Sequence, residues 1–362
     1  MHELTSPPRR HKLRIRSAGY ILDLDIPPRR PMLGSWLTDR HLSMVFAEAG
    51  VGKSMFTLAC ALAIAGGGRV FGRWQANAPR RVMIVDGEMD NVELKERLGA
   101  LLTAGDGVSL EQVRKNLHVV SRLDQGRGAF VDLTDVDWRH TIMEEAKEHH
   151  ADLVIFDNFS TLATVEDENA ATSFDPVMNL MLDLKAEGRS CILVHHANKS
   201  GGYRGTSKMV VPLDSVIRLK HPGGIESKKG AHFDVSFVKV RGLRGEDTNA
   251  FTAKLEAGPE GGRRWSVEIS AADMVGRVVA MNKSLLFSTC AAIARELDVD
   301  RSTVMRYRNK AFADNLITRP QWEANEKMAA DPESRPVENF ELSSEEPNAF
   351  GSEDSDADCL PF

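Results

Sequence analysis

The densest chemistry in the sequence lies in thirteen residues, Leu42-Ser-Met-Val-Phe-Ala-Glu-Ala-Gly-Val-Gly-Lys-Ser54. An apolar run, a loop holding Gly50 and Gly52, and then Lys53 and Ser54 at the head of an apolar helical stretch give the strand–loop–helix order that a phosphate-binding loop requires. The glycines free the backbone to turn its N–H groups inward onto phosphate oxygens. Lys53 is the expected partner of the β- and γ-phosphates and Ser54 the expected ligand of Mg²⁺, with the helix N-terminus adding a positive dipole end. Ala49, Gly50, Val51, Gly52, Lys53, Ser54 and Met55 are thus the expected contacts of a nucleoside triphosphate, with ATP and Mg²⁺ as cofactors. One position departs from GxxxxGK[ST]: Ala47 stands where the first glycine belongs.

Hydrolysis also needs a residue that orients or deprotonates water and a carboxylate that supports the metal. Val82 to Val85 is a four-residue apolar run followed by Asp86 and Glu88. Of the two, Glu88 is the expected activator of water, although both also suit capping a helix that starts near Asp90. Leu153-Val-Ile-Phe-Asp157 is the Walker B pattern, a buried strand that delivers Asp157 beside the metal held by Ser54. A later apolar run ends in His195 and His196, either of which suits a hydrogen bond to the γ-phosphate. No cysteine or carboxylate follows them at zinc-ligand spacing. The loop after them, Ala197 to Lys208, is basic and carries one aromatic residue, so Lys199, Arg204 and Lys208 are candidate contacts of a nucleic-acid backbone. Lys239 and Arg241 share one strand face and suit a finger that reaches the nucleotide of an adjacent subunit.

These groups need a scaffold, and the apolar periodicity supplies one. Short buried runs at Leu42, Val82, Leu117, Leu153 and Ser190 alternate with helical stretches, which implies an α/β fold with a mainly parallel sheet flanked by helices. Ligands of such sheets sit outside the carboxyl ends of the strands, where the loop, Glu88, Asp157 and His196 all fall. Two further β-like segments, Ser215 to Lys220 and Phe233 to Val240, precede a hairpin, Thr252 to Glu256 with Trp265 to Ile269. Residues 1–30 hold seven Arg or Lys and read as a flexible basic arm, with a short strand at Tyr20 to Ile26. Trp36 has the character of a packing residue on its own domain.

From Asn282 the apolar period becomes helical. Residues 280–320 suggest a helix-turn-helix module, with Ile293, Leu297, Val299 and Val304 packed, Ser302 as N-cap, and Arg301, Arg306, Arg308 and Lys310 facing outward. Residues 331–362 hold ten acidic residues against Arg335 alone and few aliphatics, the composition of a disordered tail. The net charge of −6 therefore conceals a body of about +3. The ending, Asp358-Cys-Leu-Pro-Phe362, resembles the tip of bacterial single-stranded-DNA-binding proteins, which docks replication partners; a solvating tail is the simpler alternative. No apolar run is long enough for a membrane span, and the basic N-terminus lacks the apolar core of a secretory signal. Four scattered cysteines support neither a disulfide framework nor a zinc site, so a cytoplasmic setting is expected.

Taken in order, the phosphate loop, Val85-Asp-Gly-Glu-Met89, Asp157, Leu193-Val-His-His196, Arg204-Gly-Thr-Ser207 and the Lys239-x-Arg241 strand end resemble the RecA-like ATPases of the RepA type, plasmid replicative helicases related to DnaB. The resemblance covers about Pro31 to Ser270, within an ATPase domain expected over residues 31–272. It implies a RecA-like ATPase domain and a homo-oligomeric ring, hexameric in that family, with nucleotide between neighbours. Lys53 and Ser54 would hold phosphate and Mg²⁺, Glu88 would activate water and Asp157 would support the metal. His196 would sense the γ-phosphate, Lys239 and Arg241 would act in trans, and the loops after Asp157 and His196 would face single-stranded DNA in the central channel. The expected function is an ATP-driven helicase of plasmid, phage or mobile-element replication. The alternative is an ATP-switched regulator that binds DNA through its helix-turn-helix without unwinding.

Overall fold

The computed structural model describes residues 13–126, 131–165, 171–198, 202–203, 207–222, 231–242, 245–258, 261–269, 271–297 and 299–331. The chain forms two compact units, Met1–Asp273 and Met274–Phe362.

In the first unit the described chain opens with α1 (Ala18–Leu22), capped by Ser17, whose side chain accepts from Tyr20 N. This short helix replaces the strand expected at Tyr20 to Ile26. Ser17 satisfies one orphan N–H of the first turn, which a lone extended segment without a partner strand cannot match. A ribbon of β1 (Pro31–Leu33) and β2 (Leu37–Thr38) leads to β3 (Leu42–Ala47) and then α2 (Lys53–Gly66), closed by Gly67 at φ 75°. A second ribbon, β4 (Arg69–Val70) with β5 (Trp74–Gln75), precedes β6 (Val82–Asp86), α3 (Asn91–Ala104), α4 (Leu110–Asn116) and β7 (Leu117–Ser121). After α5 (Val136–Glu148) come β8 (Leu153–Asp157), the single turn α6 (Phe159–Leu162), α7 (Ala171–Ala186) and β9 (Ser190–His196). The unit closes with β10 (Ser215–Lys220), β11 (His232–Val240), β12 (Phe251–Ala257) and β13 (Arg263–Ile269).

Among the described residues nine strands form one sheet in the order β13-β12-β11-β10-β3-β9-β8-β6-β7. Those from β10 to β7 run parallel, and β11, β12 and β13 extend the sheet antiparallel. This is the α/β, mainly parallel sheet that the apolar runs imply. The period of two divides each central strand between two cores. Val45, Val82, Ile84, Leu153 and Ile155 face the layer of α2, whereas Met44, Phe46, Met83, Val85, Val154 and Phe156 face that of α5 and α7. Trp36 is fully buried within its own unit, its ring 5.2 Å from Trp74 and 5.6 Å from Phe237.

The polar, acidic stretch from Asn158 to Phe174 reads in the sequence as one long loop, and the structure shortens it with helix at both ends. Asn158 and Thr161 form a capping box that starts α6, and α7 already begins at Ala171.

The second unit packs the greater part of α8 (Ala271–Lys283) with α9 (Cys290–Glu296), α10 (Arg301–Ala313) and α11 (Arg319–Ala330) around Val278, Ile293, Val304, Ala311 and Trp322. Helical structure thus begins well before Asn282. That residue is the buried clasp of the unit, donating from Nδ2 to the Trp322 carbonyl and accepting from Asn325 at 2.8 Å. Asp300, not Ser302, occupies the N-cap position of α10, one residue before Arg301. Of the expected acidic tail, 331–362, all but Asp331 lies outside the described residues. Among the described residues no helix is long and apolar enough to cross a membrane.

Candidate nucleotide site

Ala47 is the last residue of the central strand, and its φ does not fall in the left-handed region. A Cβ is therefore tolerated where the glycine of the common pattern is missing. Positive φ is needed at Gly50 (77°) and Gly52 (111°), where the loop reverses into α2. At Gly52 a Cβ would also come within 3.1 Å of the Phe233 ring. Val51 turns its side chain into the core, leaving its backbone to the loop.

Lys53 is buried, with Nζ donating to the carbonyls of Ala47 (3.3 Å) and Glu48 (3.1 Å) and lying 3.2 Å from His196 Nδ1. The pairing of β3 with β9 places Ala47 opposite His196, which makes that contact possible. His195, the other histidine of the pair, is buried, its ring 5.1 Å from Phe159.

The β6–β8 pairing sets Asp86 opposite Asp157. Asp157 is buried and accepts hydrogen bonds from the hydroxyls of Ser54 and Thr57, the latter at 3.3 Å. Burial, followed by the charge of Asp86, pushes its pKa up to about 6. Asp86 accepts at Oδ1 from Glu88 N (3.1 Å) and Met89 N (2.6 Å), which folds the chain sharply after β6. Its Oδ2 is buried and has no hydrogen-bond partner among the described residues, and burial raises its pKa as well. Two buried carboxylates beside a serine hydroxyl, one with an unsatisfied oxygen, make a donor set suited to a hard divalent cation.

Glu88 is exposed, and its Oε1 accepts from Asn158 Nδ2 at 2.6 Å. The helix that follows is capped instead by Asp90, whose carboxylate accepts from Glu93 N. Glu88 is thus left to the cleft while Asp86 and Asp90 perform the local structural work. The cleft itself, about 1070 Å³, is lined by Ala49, Gly50, Gly52 to Met55, Glu88, Asn158 and His196. Its outer walls are Glu93, Glu96, Arg97 and Ala100 of α3, facing Lys254 to Ala257 of β12 and Arg263 of β13. The two walls are tied by Arg263 N donating to Thr103 Oγ1 at 2.8 Å.

Thr57, Asn158 and the hairpin wall are absent from the sequence expectation. Thr57 sits one helical turn after Lys53, and Asn158 directly follows the strand-end aspartate; both were legible as polar residues at the ligand end of the sheet. Nothing local marks Lys254 or Arg263.

Lys239 and Arg241 are not part of this cleft. Lys239 Nζ donates to the carbonyls of Val210 (2.5 Å) and Val211 (3.0 Å), and Arg241 Nη2 to that of Val211 (2.8 Å). Because β11 runs antiparallel to β10, Lys239 pairs with Val216, which itself pairs with Met44. Lys239 is thus two strands from β3 and ~10 Å short of the loop end of the sheet. Of the DNA-contact candidates, Lys199 and Arg204 lie outside the described residues. Lys208 is in the 3-10 turn Ser207–Val210, its side chain likewise outside them.

The family profile described as AAA domain matches residues 7–202, more than half of the chain. A KaiC-like protein from Pyrococcus horikoshii is 16% identical with a TM-score of 0.44, over 64% of this chain and 91% of that one. The flagellar accessory protein FlaH from Methanocaldococcus jannaschii is 15% identical with a TM-score of 0.43, over the same shares. No curated protein matches. With a phosphate loop on the central strand, a strand-end aspartate beside it and the family match spanning both, the chain belongs to the AAA domain family of P-loop ATPases.

Proposed function

We propose that this protein is an ATP-hydrolysing ring motor of the RepA and DnaB type, which moves along single-stranded DNA during replication of a plasmid, phage or other mobile element. The separation of Lys239 and Arg241 from the phosphate loop of their own chain carries this proposal. Two neighbouring cations held away from that loop serve a nucleotide only if another copy holds it, an arrangement that a closed ring of like subunits provides. The apolar side chains exposed along the N-terminal arm, among them Ile15, Tyr20, Ile21 and Leu22, give such a neighbour something to bury.

In the cleft, the backbone of residues 49–55 and the Lys53 ammonium hold the phosphates, and the hairpin and α3 walls enclose the nucleoside. Ser54 and Asp157, with Asp86 beside them, would hold Mg²⁺. That ion supplies charge neutralisation on the phosphate oxygens. Glu88, held by Asn158, orients the attacking water and accepts its proton. Departure of the γ-phosphate frees Lys53 to rebind the carbonyls of Ala47 and Glu48 and alters its contact with His196. His196 ends the strand that feeds residues 197–208, where Lys199, Arg204 and Lys208 would grip single-stranded DNA. The acidic tail would offer a docking segment to replication partners.

The test is the ATPase rate with and without single-stranded DNA, for wild type and Glu88→Gln. Strong stimulation by single strands, lost in the variant, is expected. A rate indifferent to single strands would overturn the motor and favour the ATP-switched regulator.

A further inference from the structure

The second unit presents a surface of distinct chemistry. Residues 297–300 join α9 to α10, a turn of the length that characterises helix-turn-helix pairs. Ile293 and Ala294 of α9 and Val304 and Ala311 of α10 are buried against α8 and α11, so one side of α10 is fully committed to the core. The other side carries Arg301, Ser302, Met305, Arg306, Asn309 and Lys310, all exposed. Their spacing of i, i+1, i+4, i+5, i+8 and i+9 makes them one continuous stripe. No acidic residue occurs within α10. Arg308, expected on the outward face, is instead half-buried, with Nη1 3.8 Å from Cys290 Sγ.

We infer that α10 is a recognition helix that docks double-stranded DNA. Its thirteen residues span roughly 20 Å, enough to lie along a major groove roughly 12 Å wide. The stripe has the side chains that read base edges there: arginine forks suit guanine O6 and N7, and Asn309 suits adenine N6 and N7. Lys310 suits a flanking phosphate. Charge complementarity selects this occupant over a protein. A protein groove requires buried aromatic or aliphatic anchors, and Met305 is the one apolar side chain in the stripe. The inference does not depend on the motor proposal, since duplex docking by this unit would hold with or without movement on single strands.

The experiment is fluorescence anisotropy of the full-length protein, without nucleotide, on a labelled 30-base-pair duplex of mixed sequence from about 50 to 200 mM salt. Wild type is expected to bind, with affinity falling as salt rises. Arg301→Ala with Arg306→Ala should weaken duplex binding at least tenfold and flatten the salt dependence, leaving the basal ATPase rate unchanged. Met305→Glu, which alters only the exposed stripe, should do the same while unfolding at the wild-type temperature. Absence of duplex binding by wild type would overturn the inference. So would unchanged binding by both folded variants, or a stripe whose substitution disturbs only association with another protein.

Discussion

Asp86 and Asp157 end neighbouring parallel strands in register, both buried, and the charge of Asp86 adds to burial in lifting the pKa of Asp157 to about 6. The fold thus holds two carboxylates together where neither is comfortable as an anion. Such an arrangement is stable when a cation neutralises it or a proton is retained.

A carboxylate whose folded pKa lies above its unfolded value stabilises the fold in its protonated form. That contribution is complete below about pH 4 and is lost as pH rises through about 6. Asp157→Asn should therefore make the nucleotide-free protein more stable than wild type at pH 8, by on the order of 2 kcal/mol. The two should unfold alike at pH 4. Thermal unfolding at both pH values measures this, and the variant should have lost magnesium-dependent ATPase activity.

Ala47 and Gly52 predict opposite responses. Ala47→Gly should change nucleotide affinity by less than about threefold and cost about 1–2 kcal/mol of stability, because it adds backbone freedom at a strand position and removes one buried methyl group. Gly52→Ala meets both a φ of 111° and the Phe233 ring, so it should cost about 1–3 kcal/mol and abolish nucleotide binding. Calorimetric titration with a nonhydrolysable nucleotide separates the two.

His41 gives a pH dependence of the other sign. Its ring is buried, with Nε2 2.9 Å from Ser215 Oγ, and burial lowers its pKa to about 4. The neutral ring is compatible with the fold at neutral pH, and stability should fall as pH drops from 6.5 towards 4, where the unfolded chain takes up a proton first. The loss should approach about 3 kcal/mol, and His41→Gln should remove most of it. Denaturant unfolding between pH 7 and pH 4 checks the slope.

If Lys239 and Arg241 act on a neighbour's nucleotide, mixing is diagnostic. Protein bearing Lys239→Ala and Arg241→Ala should be inactive alone, as should Lys53→Ala. Titrating one into the other should restore activity at the interfaces where intact halves meet. A strictly additive, inactive mixture would remove the trans role.

The phosphate loop, the strand-end aspartate and the mainly parallel sheet were legible because each depends on local patterns: glycine placement, an apolar run ended by a charge, and short buried runs that alternate with helical stretches. Glu88 was legible as a residue at the right sheet edge. Its freedom from capping was not, because that depends on Asp86 and Asp90 taking the backbone donors. The start of α7 was hidden among polar residues, whereas the capping box of Asn158 with Thr161 was the overlooked signal of α6. The hairpin wall of the cleft was beyond sequence reasoning, since Arg263 meets Thr103 across 160 positions.

The central strand also dictates timing. β3 lies between β9 and β10, so the strand that carries the phosphate loop has no neighbour in the sheet until residues near 190 and 215 have been made. At ordinary translation rates that delay is on the order of ten to thirty seconds. During it, the apolar residues of β3 and α2 await their neighbours on a nascent chain. Slow synthesis or early termination before β10 should therefore send this protein to chaperones or aggregates, with its phosphate grip among the last features to form.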